Sequence, residues 1–181
     1  MTSTETVGGA IASGPVSQIA WVTADIDATE KYLSAGFGAG NWTRMNDIRF
    51  APEDCFLRGE PADFTIHVSI VYVGDLQLEV IQPVSGTSIY SEFLEAKGPG
   101  LHHICFDVED MTEAMAGVAA LGLTVHQNGS MMGGAMDFAY VDGTSAGVPY
   151  IEIARIGEDM KAVFASIKEH STKEHSSKGS S

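Results

Sequence analysis

Apolar and polar positions alternate along two stretches of the chain, and the elements they predict follow the same order in both. The first stretch opens with a β-rich apolar run at 16–23. Asp25 and Asp27 then offer a helix start, and the helix runs to about residue 35 before a glycine-rich exit at Gly36, Gly38 and Gly40. Strands are predicted over 42–50, 64–73 and 76–82, with Gly74-Asp75 as a two-residue hairpin signal between the last two. The second stretch opens with a strand at 101–108. Asp110 precedes a helix that runs to about Leu121 and ends at Gly122, followed by strands near 124–127, 135–141 and 148–154. Between the stretches, 89–97 reads as a short helix stopped by Gly98-Pro99-Gly100. Met160, Val163, Phe164 and Ile167 recur at helical spacing, which predicts a C-terminal helix packed on the outside.

Superposing the stretches shows a repeat. With Gln18 on His103, Ile19 falls on Ile104, Trp21 on Phe106 and Asp25 on Asp110, while Leu78-Glu79-Val80 falls on Ile151-Glu152-Ile153. The predicted class is α+β, with two βαβββ modules at 15–86 and 101–156, a linker helix within 87–100 and a C-terminal helix at 157–170. Each module is too small to bury a core comfortably alone, so the two should share a sheet or an interface. The small, polar residues 1–14 and the Ser/Lys/Gly-rich residues 171–181 are expected to be disordered tails.

Side chains alternate across a strand. If Ile19, Trp21, Ile104 and Phe106 face the helices, then Gln18, Ala20, His103 and Cys105 face the other way. On the closing strands Leu78, Val80, Ile151 and Ile153 take the helix side and leave Glu79 and Glu152 opposite. A lone Glu in an apolar strand ordinarily sits on a solvated face, and a lone His near a strand start is ordinarily a satisfied polar residue. Gln18, Glu79, His103 and Glu152 instead occupy equivalent points of a repeat, and a carboxylate among apolar neighbours is costly to bury unless paired or bound to metal. As a set they point to one divalent ion, and mixed oxygen and imidazole donors suit Zn, Mn, Co, Ni or Fe(II) alike.

The 181 residues carry a formal charge of −14, which disfavours nucleic acid and anionic membrane surfaces as partners. No stretch approaches the roughly 18–20 apolar residues of a membrane span. Cys55 and Cys105 make no disulfide framework, and 1–15 has no signal-like pattern, so a cytoplasmic location is expected.

Leu78-Glu79-Val80-Ile81-Gln82-Pro83-Val84, Phe93-Leu94 and Gly98-Pro99-Gly100-Leu101-His102-His103-Ile104-Cys105-Phe106-Asp107-Val108 resemble methylmalonyl-CoA epimerases and other glyoxalase-like proteins of the vicinal oxygen chelate superfamily. The resemblance covers about 16–156. It implies a cupped mixed sheet around a metal, helices on the outer face, and ligands from the first and last strand of each module: Gln18, Glu79, His103 and Glu152. It also implies a homodimer. This ligand set is similar to that of some glyoxalase I enzymes, whereas the epimerases usually place His where Gln18 stands. Gln18 also disfavours a ring-cleaving dioxygenase, which needs a second imidazole.

The resemblance implies an isomerase, epimerase or lyase that removes an α-proton from a small carbonyl compound through a metal-stabilised enolate. By likeness to glyoxalase I, Glu152 is the first choice of base and Glu79 the symmetric alternative. His67, on the more polar face of its strand with Thr65 and Ser69, is a further candidate for proton transfer. His102, one residue out of phase with His103, is expected to face away, Cys105 to be an inert buried thiol, and Met131-Met132-Gly133-Gly134 to form a flexible loop. The competing class is a protein of the same fold that sequesters a small molecule without turning it over.

Overall fold

The computed structural model describes residues 11–173, and in it the first stretch folds as β1 (Val16–Val22), α1 (Ile26–Phe37), β2 (Thr43–Phe50), β3 (Cys55–Leu57), β4 (Glu60–Pro61), β5 (Phe64–Val73) and β6 (Leu76–Ser85). Helix α2 (Ile89–Lys97) links it to β7 (Gly100–Asp107), α3 (Met111–Ala120), β8 (Val125–Met131), β9 (Met136–Asp142) and β10 (Tyr150–Ile156), and α4 (Glu158–Thr172) follows. Residues 1–10 and 174–181, which hold most of the two expected tails, lie outside the described residues.

Local chemistry sets the boundaries. Asp25 and Asp110 accept hydrogen bonds from the first-turn amides of α1 and α3, and Ser88 forms a reciprocal capping box with Ser91 on α2. Gly74, at φ 64°, makes the tight β5–β6 turn that a side chain would resist.

All ten strands form one curled sheet in the order β2-β5-β6-β1-β7-β10-β9-β8-β3-β4. Within each module the first and last long strands are parallel neighbours, β1 with β6 and β7 with β10. The repeat survives in the register, since Ala20 pairs with Glu79 and the equivalent Cys105 pairs with Glu152. Antiparallel pairing of β1 with β7 joins the modules edge to edge within a single chain.

Helices α1 and α3 cover the outer face; Ala114 and Val118 of α3 pack on Ile153 and Val141, with Ile11 beside them. The larger core lies inside the cup, where Phe64, Ile66, Val68, Ile81 and Phe138 meet Tyr90 of α2 and Met160 and Ile167 of α4. Helix α4, expected on the outside, therefore crosses the concave side and rests on β5. Its apolar stripe, Met160, Phe164 and Ile167, covers the inner core, while α3 packs on the outer one.

The hairpin of β3 and β4 was not expected. It belongs to the first module by sequence, yet β3 pairs with β8 at the far edge of the second. Strands of three and two residues carry no readable alternation. Gly129 permits the pairing, because a Cβ there would stand 2.6 Å from the Asp54 carbonyl oxygen, 2.9 Å from Phe138 Cζ and 3.1 Å from Cys55 Cα. Gly129→Val is expected to push β3 off the sheet and to destabilise the fold by about 1–3 kcal/mol. A urea midpoint equal to that of the wild type would show that β3 tolerates the displacement.

Candidate active site

Four strands side by side, β6, β1, β7 and β10, bring Glu79, Gln18, His103 and Glu152 to the floor of the cup. His103 Nε2 is the common point. Gln18 Oε1 lies 3.0 Å from it, Glu152 Oε2 3.1 Å and Glu79 Oε2 3.7 Å. His103 is fully buried and Glu152 nearly so, while the Glu79 side chain keeps 13% of its surface exposed. Among the described residues no three His, Cys, Asp or Glu side chains form a closed metal-binding group. The arrangement is one imidazole nitrogen facing three oxygens, with Glu79 drawn back.

A second set of contacts orients these groups. The Gln18 amide donates to Gln77 Oε1, and Gln77 Nε2 donates to the Tyr72 hydroxyl at 2.8 Å, which turns Gln18 Oε1 toward His103. On the other ring edge, His103 Nδ1 stands 2.9 Å from Nδ1 of His102, so one ring carries the proton and the other accepts it. His102 is thus inside the cup, contrary to expectation. The register skips it, with Ala20 opposite His103 and Trp21 opposite Leu101, and this bulge returns His102 to the side that simple alternation denies it. It is fully buried among Tyr90, Phe93, Tyr140 and Tyr150. Burial, reinforced by His103, holds its pKa well below the ordinary imidazole value, so it is neutral.

Burial, with Glu152 adding its charge, pushes the Glu79 pKa up to about 8. The same two causes hold the Tyr90 and Tyr140 hydroxyls, 2.8 Å apart, in their neutral form. Burial likewise keeps Cys105 a thiol.

His67 does not join the set. On β5 the residues facing the cup are Ile66, Val68 and Ile70, so His67 takes the opposite face, where its Nδ1 accepts from the Asp47 amide at 3.0 Å. The polar side of that strand points away from the site because the cavity above the site is itself apolar. That cavity, of about 340 Å³, lies between the floor of the cup, α4 and the β8–β9 turn. The turn at 131–134 has a place in it, since Met131 and Met132 line the wall. The doubled histidine at 102–103 was the only sign of His102, and nothing in the sequence marked Gln77, Tyr90 or Tyr140.

The sequence model of the glyoxalase/bleomycin resistance protein/dioxygenase superfamily matches residues 17–140. The chain belongs to that superfamily. Over 106 residues it is 31% identical to the mitochondrial methylmalonyl-CoA epimerase of Bos taurus, a match that spans 48% of this chain and 61% of that protein. A shorter match, 38% identical over 50 residues, spans 28% of this chain and 36% of an uncharacterised protein of Bacillus subtilis. The chain thus aligns with less than two thirds of the length of either curated relative. Among solved structures, methylmalonyl-CoA epimerase from Mycobacterium tuberculosis superposes with a TM-score of 0.57 at 16% identity, covering 90% of this chain and 97% of that one. At that identity the likeness establishes the superfamily fold, a curled mixed sheet of paired modules. Among the described residues no helix is long and apolar enough to cross a membrane.

Proposed function

We propose that this member of the superfamily is a divalent-metal-dependent isomerase or epimerase that acts on a small carbonyl compound by moving its α-proton. The observation that carries the reading is the convergence of Gln18, Glu79 and Glu152 oxygens on His103 Nε2 at 3.0–3.7 Å, from strand positions related by the internal repeat. Ligands bound at about 2.0–2.2 Å around one ion stand roughly 3.0–3.5 Å from each other, so the set fits a divalent ion with a small advance of Glu79. The paired carboxylates also favour a cation, which would relieve their repulsion.

When bound, the ion would polarise a carbonyl oxygen and favour the negative charge that develops there as the α-proton leaves. The chain's own residues supply the rest. His102 orients His103 through the Nδ1 contact, and Gln77 orients Gln18. Glu79 is better placed than Glu152 to take the proton, because both line the cavity but Glu79 stands farther from His103 and its side chain is the more exposed, 13% against 4%. The apolar wall excludes water from the carbanionic side. Return of the proton to the opposite face gives epimerisation, and return to a neighbouring atom gives isomerisation.

The test is elemental analysis of the purified protein together with deuterium exchange at the α-carbon of carbonyl compounds. About one ion per chain with metal-dependent exchange supports the proposal. Protein that takes up no ion on reloading would sink it and favour the sequestering alternative. His102→Leu, which keeps the bulk and removes the ring contact, is expected to weaken the ion about 10–100-fold. Unchanged affinity in that variant would remove His102 from the site's support.

A further inference from the structure

The cavity over the carboxylate pair is apolar on every side but its floor. Ile48, Phe50, Val68 and Phe164 form much of the wall, and the polar side chains that reach the space are Gln18, Glu79, Glu152 and the two tyrosines. The tyrosine hydroxyls are paired with each other. Among the described residues no lysine, arginine, histidine, serine or threonine lines it.

Among the described residues the arginines are committed elsewhere as well: Arg44 to Asp27 and Glu30, Arg49 to Asp63, Arg58 to Glu92 and Arg155 to Asp137. Lys161 lines a neighbouring pocket of about 220 Å³ that shares Gln18, Met136 and Phe164 with the cavity, and its ammonium is tied to Glu158 at 2.7 Å. A divalent ion on the floor would already be balanced by two carboxylates. An anionic group on the substrate would therefore be buried with no cationic side chain beside it among the described residues, in a chain of charge −14, at a cost of several kcal/mol.

We infer that the site takes an uncharged, hydrophobic carbonyl compound with a compact ring or branched body, and that it rejects substrates bearing a carboxylate beside the reacting carbon. The inference rests on the reading of the Gln18, Glu79, His103 and Glu152 cluster as the reacting end. The volume of about 340 Å³ is at the small end for ligand sites, enough for one ring and its substituents. Five of the eight methionines, Met45, Met131, Met132, Met136 and Met160, line the wall. Unbranched, polarisable side chains adapt to differing shapes and stack on ring edges, so selection is by polarity and size more than by outline. The two elements that set it are α4, through Met160 and Phe164, and the β8–β9 turn, through Met131 and Met132.

The test is calorimetric titration of wild-type protein, both metal-loaded and chelator-stripped, with three probes. These are α-hydroxyacetophenone, its anionic counterpart phenylglyoxylate, and methylmalonyl-CoA. The neutral ketone is expected to bind at least about tenfold more tightly than either anion in the loaded protein, and to keep its advantage over phenylglyoxylate in the stripped one. Met132 is 66% exposed, so Met132→Arg adds a cation at the wall without disturbing the core and should narrow the gap. A melting curve for that variant checks that it is folded. Tighter binding of phenylglyoxylate or methylmalonyl-CoA, or no binding of the neutral ketone, would overturn the inference. A protein that binds no metal but still prefers the neutral ketone would sink the metal chemistry and leave this selectivity standing.

Discussion

Glu79→Gln is expected to keep the bound ion and to lose α-proton exchange by about 10²–10⁴-fold. The substitution leaves an amide oxygen at the same place, as Gln18 already supplies on the neighbouring strand, so ligation can persist while the proton acceptor is gone. The loss should appear in kcat with little change in KM, because the side chain acts on the proton and not on the apolar body of the substrate. Glu152→Gln and His103→Ala are expected to behave differently. Both residues are buried and 3.1 Å apart, so their loss should lower metal content itself. Elemental analysis separates the two outcomes. Full exchange activity in metal-replete Glu79→Gln, with none in metal-replete Glu152→Gln, would give Glu152 the role of base.

Stripped of metal with a chelator, the protein is expected to lose stability as pH rises from about 5 to about 8, and the Glu79→Gln variant should lose less. The Glu79 pKa is raised from its ordinary 4.5 to about 8 in the folded chain. The folded state therefore holds a proton that the unfolded state has released across this interval. Its stabilising contribution is complete below about pH 4.5, declines through the interval and is gone above about pH 8, a swing on the order of a few kcal/mol. Comparing melting curves of stripped wild type and Glu79→Gln at several pH values isolates the effect, since the other carboxylates are common to both. Adding a divalent ion should reverse the trend at high pH, where Glu79 is ready to ligate without giving up a proton. Parallel pH profiles for the two stripped proteins would show that Glu79 is not protonated in the fold.

Much of the candidate site was legible because duplication writes the same position twice. The pairing of Gln18 with His103 and of Glu79 with Glu152 needed only the repeat and strand alternation, and the register of β1 with β6 and of β7 with β10 agrees with it. His67 and His102 show where alternation misleads. Reading the polar face of each strand as the site face placed His67 inside, but the cavity wall is apolar and the isoleucines face it. Counting phase placed His102 outside, but the bulge in β7 adds one residue and reverses its side.

By itself the sequence determined the two modules, the capped helices, the Gly74 turn and the four polar residues on one face of the sheet, because each depends on neighbours a few residues away or on the repeat. Only the tertiary structure decided that β3 crosses to the second module, that α4 closes the concave side, and that the space above Glu79 is walled by methionine, isoleucine and phenylalanine, with no cation among the described residues. Those features join residues far apart in the chain, and no local pattern records which distant surface an apolar stripe will find to cover.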